Sequence, residues 1–323
     1  MYKIFLAIFA LAILFSACDN DLDLVENGEP ITVVYALFDV NDTAHYARVE
    51  KAFVDPDVPP ATLALDPQNL YFDNLDVTFF KTSNGANPRV LTRVDGNQEG
   101  YVRSEGAFAQ APNYLYKMRN TNLALNYVDS FSLQVDLGEG KFATGTTKMV
   151  EPAVLIRPNE NGSLDFDDQA NARYSWNPGL NSVIHSMTLV LKYDENKAGV
   201  VSPKTLNWNI FSNITADRFE FAGREFYQLI GANIPIEAGT TRIFKGIDVI
   251  FTSAGQSVAD YIRVGQANLG ITSSGEVPVF TNLTSGRGIV GSRAKRVLRN
   301  LQLSRNSIDR LKTTQFTKDL NFQ

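Results

Sequence analysis

Cysteine and histidine are nearly absent from this sequence of 323 residues. Cys18 is the only cysteine, and His45 and His185 are the only histidines. A zinc site needs three or four converging nitrogen, sulfur or oxygen ligands, and a catalytic triad needs a histidine as its base. Because both histidines lie in apparent strands, far apart in sequence, we predict a protein without a cofactor, a metal centre or catalytic residues, and therefore not an enzyme. A lone thiol also excludes an internal disulfide.

Long apolar runs are missing too, except at the N-terminus. After Lys3, residues 4–15 carry no charge, but this run is too short to cross a hydrocarbon core of roughly 30 Å. Phe15-Ser16-Ala17-Cys18 resembles the lipobox of bacterial lipoproteins, although leucine is usual where Phe15 stands. We predict that residues 1–17 are a signal peptide and that Cys18 carries the lipid anchor. The alternative is an ordinary secretory signal followed by a chance cysteine.

Basic residues are missing from the segment behind this cysteine. No Lys or Arg occurs between Cys18 and Arg48, whereas five acidic residues follow Cys18 within residues 19–29. A polar segment with little to bury stays flexible, so we predict that residues 18–30 are an acidic tether. The acidic run resembles the export signal of surface lipoproteins in the Bacteroidota. That resemblance implies display on the outer face of the outer membrane; the alternative is a plain solvated linker.

Positive charge is concentrated at the other end of the chain. The formal net charge is −5, yet residues 287–323 hold nine Lys or Arg residues and two Asp residues. Such a stretch can contact lipid head groups, lipopolysaccharide phosphates or an acidic partner, although it can also be a solvated face. No aromatic residues are interleaved with the basic ones, which argues against nucleic acid. The candidate docking surface comprises Arg287, Arg293, Arg296 and Arg299.

Alternating apolar and polar positions dominate, and helical periodicity is scarce. We predict an all-β fold with two β-sandwich-like domains, the N-terminal one immunoglobulin-like over residues 31–150. Residues 151–171, rich in Pro and Asn, are predicted to be a linker or crossing loop. Residues 172–323 are predicted to form a β-rich C-terminal domain with a basic final segment. Its two or three short helices are expected at Gly223–Gly231, Ser257–Leu269 with Ser257 as N-cap, and Ser304–Leu311.

Two local clusters admit a functional interpretation next to a structural one. Asp165, Asp167 and Asp168 offer oxygen ligands for Ca²⁺, but their spacing is not that of an EF-hand, so they are weak calcium candidates beside a solvated acidic loop. The stretch from Gly286 to Gly291 is glycine-rich but lacks the strand, loop and helix setting of a phosphate-binding loop. We predict turn or bulge geometry there.

Three stretches together resemble a family of Bacteroidota outer-membrane lipoproteins that has no assigned activity. They are Ile31–Phe53, Ala172–Tyr193 and Val277–Arg293, the last containing Phe280-Thr281-Asn282-Leu283 before the glycine-rich run. The resemblance implies an immunoglobulin-like N-terminal sandwich and a location near TonB-dependent uptake machinery. Of the functional residues, it implies only Cys18.

Taken together, these features predict a lipid-anchored surface protein that recognises a ligand or serves nutrient uptake as an accessory to a TonB-dependent outer-membrane receptor. Two alternatives stay open. One is a structural or adhesive component of the cell envelope, and the other is a hydrolase built from carboxylates that the sequence does not single out.

Overall fold

The computed structural model describes residues 30–52, 55, 58–121, 123–267 and 279–323. The predicted signal peptide, Cys18 and nearly all of the acidic tether lie outside these ranges. Strands account for 46% of the structure and short helices for 15%, and the sheets are open and sandwich-like, which confirms the predicted all-β class. In the described part of the chain, no helix is long and apolar enough to cross a membrane.

The described residues of the N-terminal half form eight strands and two one-turn helices. The strands are β1 (Ile31–Phe38), β2 (Ala44–Ala52), β3 (Asp76–Lys81), β4 (Arg89–Val90), β5 (Thr92–Asp95), β6 (Tyr114–Arg119), β7 (Ser130–Asp136) and β8 (Phe142–Lys148). The helices are α1 (Pro60–Leu63) and α2 (Pro67–Leu70).

The C-terminal half supplies longer strands and three helices. The strands are β9 (Val154–Arg157), β10 (Asn171–Asn177), β11 (Ile184–Lys197), β12 (Val200–Ile214), β13 (Arg218–Ala222), β14 (Thr240–Ala254) and β15 (Arg287–Leu301). The helices are α3 (Arg224–Asn233), α4 (Gln256–Ala267) and α5 (Arg305–Thr313), and a 3₁₀ turn follows at Lys318–Leu320.

One strand joins the two halves. The eight-stranded sheet has the order β12-β11-β14-β15-β1-β2-β6-β5, so β15 lies between a C-terminal and an N-terminal strand. It pairs antiparallel with β14 and parallel with β1. A four-stranded sheet (β4-β3-β7-β8) and a three-stranded sheet (β13-β10-β9) accompany it.

Buried side chains form two large hydrophobic clusters. One draws on residues between Val34 and Met149 together with Val290, and the other on residues between Ala153 and Phe322. The alternating pattern of the strands explains the first cluster. In β1 every second residue from Thr32 to Phe38 is buried, because successive side chains of a strand point to opposite faces. Val290 lies on β15, so this one strand contributes to both cores.

The segment predicted as a linker or crossing loop, residues 151–171, takes part in the second core. It contains β9, and its Leu164 and Phe166 are only 3% and 0% exposed. The Pro and Asn residues do mark turns, but the apolar side chains between them are buried in the core, where Phe166 packs against Phe221 of β13 and Phe226 of α3.

All three predicted helices are present as α3, α4 and α5. Ser304 is the N-cap of α5, because its hydroxyl accepts a hydrogen bond from the Ser307 amide at 3.1 Å. The predicted N-cap of α4 is wrong. The helix begins at Gln256, so Ser257 lies inside it, where its hydroxyl accepts from Asn282 instead.

Glycines 286 and 288 lie where β15 meets β1. Their φ angles are +90° and +104°, and a Cβ on Gly288 would stand 2.0 Å from the Val34 carbonyl oxygen. Gly286 lies in the bend before β15, whereas residues 287–291 pair with β1 without a register shift. The predicted turn or bulge geometry is therefore wrong for most of this run, where glycine instead allows two strands to approach closely.

Candidate recognition surface

The outward side of the first sheet carries a group of aromatic side chains that we call the tyrosine face. Tyr35 on β1 and Tyr46 on β2 lie on this side, since Tyr35 is in register with Arg48, two residues from Tyr46. Tyr261 of α4 meets Tyr35 edge-on with ring centroids 6.2 Å apart. The long loop of residues 96–113 adds Tyr101, whose ring lies 4.6 Å from that of Tyr46, and Phe108.

These aromatic residues are unusually accessible for their size. Tyr101 is 52% exposed, Phe108 49%, Tyr35 39% and Tyr261 36%, and the neighbouring Leu37 on β1 is 40% exposed. Exposed aromatic side chains grouped on one face are typical of contact surfaces, whereas core residues of a strand pattern are covered. The tyrosine face is therefore a candidate contact surface.

A network of charged and polar side chains lies beneath this surface. Glu50 accepts from Arg48 at 2.9 Å and forms an ion pair with Arg103 at 3.0 Å. Arg103 also donates to the Tyr71 hydroxyl at 3.0 Å, and Arg48 donates to the side chain of the buried Asn113 at 2.8 Å. Two guanidinium groups around one carboxylate leave an excess positive charge and fix the 96–113 loop against β2.

The loop is held at its other end by Glu99. Its carboxylate accepts hydrogen bonds from Lys117 on β6 and from the Tyr46 hydroxyl, the latter at 2.8 Å. The Lys117 ammonium is the main cause of the lowered pKa of Glu99, and the same pair raises the pKa of Lys117. The position of Tyr46 is thereby fixed by a charge-assisted hydrogen bond.

Burial and the Tyr261 hydroxyl, 3.4 Å away, raise the pKa of Tyr35 to about 12. Its phenol accordingly stays neutral at any physiological pH and acts as a hydrogen-bond donor and acceptor. The face thus offers rings for stacking, hydroxyls for hydrogen bonding and a surplus guanidinium charge.

In the described part of the chain, four carboxyl groups have a lowered pKa, each with a lysine as its partner. At Asp248 burial opposes ionisation, but the hydrogen bonds from Lys192 and the Asn300 amide outweigh it. The four are Glu99, Asp129, Glu237 and Asp248.

The four arginines of the predicted docking surface do not share one face. Arg287 and Arg293 are exposed on β15, and Arg299 is exposed with its guanidinium 4.0 Å from Asp248. Arg296 is in register with the buried Phe251, so it faces the opposite side of the strand, where it is ion-paired with Glu160. Three of the four therefore stay available at the surface.

The three weak calcium candidates, Asp165, Asp167 and Asp168, each bind a different partner within the chain. Asp165 accepts from the Ser304 and Ser307 hydroxyls, and Asp168 forms an ion pair with Arg310 at 3.3 Å. Asp167 accepts from the backbone amide of Gln169. Within the described ranges, no group of three or more His, Cys, Asp or Glu side chains is placed to hold a metal ion.

Both histidines are buried among aromatic rings. The His45 ring lies 5.6 Å from that of Phe38, and the His185 ring lies 5.5 Å from that of Trp176. Burial lowers the pKa of both, that of His185 to about 4. His185 shares a hydrogen bond of 3.0 Å with the Ser253 hydroxyl.

The buried imidazole of His185 predicts a loss of stability in mild acid. The unfolded chain binds a proton near pH 6.5 and the folded one only near pH 4, so the free energy of unfolding falls as pH drops through this window. After allowance for solvent screening we expect a loss of about 2 kcal/mol. Urea unfolding at pH 7 and pH 4 measures it. If His185→Phe loses as much between these pH values as the wild type, His185 is not the cause.

The tyrosine face was not predicted from the sequence, although part of its signal was present there. Tyr35 and Leu37 alternate along one stretch of the sequence, and Tyr46 and Arg48 along the next, so each pair is expected to share a face of its strand. What the sequence does not show is that this face is outward and that residues 96–113 and α4 border it.

No protein-family model matches the chain, and no curated protein matches it. Among solved structures, a chain from a cytokine receptor complex shares 9% identity at a TM-score of 0.23, covering 85% of this chain and 99% of that chain. The C-terminal globular domain of an oligosaccharyltransferase from Pyrococcus abyssi shares 9% identity at a TM-score of 0.19, covering 90% and 55%. Likenesses this distant support neither a fold family nor a function.

Proposed function

We propose that this chain is a recognition protein of the cell surface, anchored to the outer membrane through Cys18 and not itself an enzyme. The observation that carries the proposal is the tyrosine face: exposed aromatic rings, tyrosine hydroxyls and arginines on one side of a rigid sheet. Tyr and Arg are enriched at protein interfaces, where a few such residues supply most of the binding energy.

The supporting chemistry is that of binding. Tyrosine has two side-chain torsions and offers a large amphipathic contact area at low entropic cost. The Arg48–Glu50–Arg103 network fixes the loop beneath the rings, so less ordering is needed when a partner binds. In the described ranges, the carboxyl groups with shifted pKa values are all held ionised beside lysines, an arrangement suited to structure and not to proton transfer.

The partner we propose is a TonB-dependent outer-membrane receptor, with the lipoprotein as its accessory in nutrient uptake. A lipid-anchored β-sandwich has no passage for a solute, so a role in uptake requires a channel. The exposed Arg287, Arg293 and Arg299 add a second contact region whose charge can orient the approach of an acidic surface.

Truncating two rings of the tyrosine face tests this proposal. The double variant Tyr101→Ala/Phe108→Ala is expected to reduce recovery of an outer-membrane receptor by about tenfold or more, since loss of interface hot spots costs about 2 kcal/mol each. The measurement is quantitative mass spectrometry of proteins recovered with the lipoprotein from cross-linked membranes.

The matched control is Val200→Ala/Val201→Ala, because these side chains are 67% and 57% exposed on the remote β11–β12 hairpin. Its recovery of the receptor should equal that of the wild type. Equal recovery with the tyrosine-face variant would reject this face as the contact surface. Recovery of envelope matrix proteins in place of a receptor would favour a structural or adhesive role.

The membrane anchor makes a separate prediction. Cys18→Ser is expected to release a folded, soluble protein, because each acyl CH₂ that enters the bilayer contributes about 0.8 kcal/mol and a multi-chain anchor is effectively permanent. Cell fractionation measures the release, and mass spectrometry of the mature N-terminus identifies the acyl group. An unmodified chain cut at another residue would contradict the lipobox assignment.

A further inference from the structure

A cavity of about 510 Å³ opens in the second sandwich, far along the chain from the tyrosine face. It lies between the end of β9, the turn of residues 158–165 and the first half of β10. Its volume is that of a site for a small molecule. It involves no residue of the tyrosine face, so ligand binding in this cavity would be independent of the recognition function proposed for that face.

One wall of the cavity is an open strand edge. β10 pairs with β9 only at Ser175, Trp176 and Asn177, because the chain turns away after Arg157. Residues 171–174 pair with β13 on one side and face no other strand of the described chain on the cavity side. Backbone amides and carbonyls along this edge therefore lack ladder partners and are available to a ligand.

Tyr174 also lines the cavity. Tyr174 is 4% exposed, and its ring stacks on Phe221 with centroids 5.6 Å apart. Burial raises the pKa of Tyr174, so its hydroxyl stays neutral and can donate a hydrogen bond to a molecule in the cavity.

Two arginines and one carboxylate line the cavity. Arg157 is exposed and has no ion-pair partner within the described ranges, whereas Arg173 pairs with Glu220 at 3.2 Å. Asp165, also in the lining, accepts hydrogen bonds from the Ser304 and Ser307 hydroxyls, which bind its oxygen but leave its negative charge. The unpaired Arg157 guanidinium, the edge amides and the Tyr174 hydroxyl are the hydrogen-bond donors of the cavity, and together they suit an anionic oxygen group.

We propose that this cavity binds a small molecule through a carboxylate or phosphate group, with Arg157 and the β10 edge as anion donors and Tyr174 as the inner hydrogen-bond donor. Isothermal titration calorimetry of the purified mature chain with succinate and with inorganic phosphate tests this. At least one probe should bind saturably at millimolar concentration. Binding of phosphate alone would assign a phosphate-bearing ligand, and binding of succinate alone a carboxylate.

Variants locate the binding. Arg157→Gln should weaken binding of the same probe about tenfold or more, as expected for a hydrogen bond to a charged group. Tyr174→Phe should weaken it severalfold without lowering the melting temperature, because the ring packing is kept. Arg218→Gln, an exposed arginine on β13, should bind like the wild type. Failure of both probes to bind the wild type, or unchanged binding by Arg157→Gln, would overturn the proposal.

Discussion

Replacement of Gly288 by alanine is expected to lower the free energy of unfolding by about 4 kcal/mol. A residue with a side chain at φ +104° costs about 1–2 kcal/mol. The added Cβ would also stand 2.0 Å from the Val34 carbonyl oxygen, a backbone atom that cannot rotate away. Relief of that contact requires β1 and β15 to separate, which disturbs the parallel pairing between the two halves, at a cost of about 1–3 kcal/mol or more.

A matched control is present in α4. Gly265 lies in that helix with nothing within 4 Å of an added Cβ, so Gly265→Ala should leave stability unchanged or raise it by up to about 1 kcal/mol. Chemical denaturation of both variants gives the comparison. If Gly288→Ala loses less than about 1 kcal/mol, β15 and β1 are not packed as closely as described.

The strand register of β15 illustrates what the sequence does not contain. Alternation was sufficient to predict strands, sandwich-like sheets and an all-β class, because it reports which residues face a core. The predicted turn or bulge at residues 286–291 was a local interpretation of glycine. The role of these glycines is long-range, since they permit contact with a strand more than two hundred residues earlier in the chain.

The helices follow from local sequence signals, whereas the candidate sites depend on long-range strand pairing. α3 and α5 were predictable because their apolar spacing, and in α5 the Ser304 cap, are local signals. The separation of Arg296 from Arg293 and Arg299 depends on which side of β15 each residue faces, which pairing with β14 decides. The free edge of β10 likewise follows from where β9 stops pairing, and no local pattern marks it.

Replacement of Arg242 by methionine is expected to destabilise the protein by about 3–5 kcal/mol, the usual cost of removing one partner of a buried ion pair. Arg242 on β14 is 0% exposed. Its guanidinium donates to Glu195 at 2.9 Å and to the backbone carbonyls of Leu320 and Pro235 at 2.7 and 2.9 Å. The methionine would fill much of the space but leave three acceptors without a donor.

The effect of Arg242→Met can also be measured locally, in the last residues of the chain. The Arg242 backbone also bonds to Asn321 and Gln323, so this residue fastens the last residues to β14 twice. We expect Arg242→Met to raise hydrogen exchange and proteolysis in residues 318–323 before global unfolding. Arg218→Met, whose side chain is 80% exposed beside Asp217, should do neither, because exposed ion pairs contribute about 0–1 kcal/mol.

A double-mutant cycle separates the charge from the packing at Arg242. If the main cost is a carboxylate left buried without its cation, Glu195→Gln should recover part of the loss in the Arg242→Met background, because a neutral amide needs no counter-charge. The side chain of Glu195 is 19% exposed, and the Lys204 ammonium lies 3.9 Å from its carboxylate. Because water and Lys204 already offset part of the Glu195 charge, we expect Glu195→Gln to recover about 1 kcal/mol of the lost stability. Strictly additive losses would show that the carbonyls of Leu320 and Pro235, and not Glu195, account for the requirement for arginine.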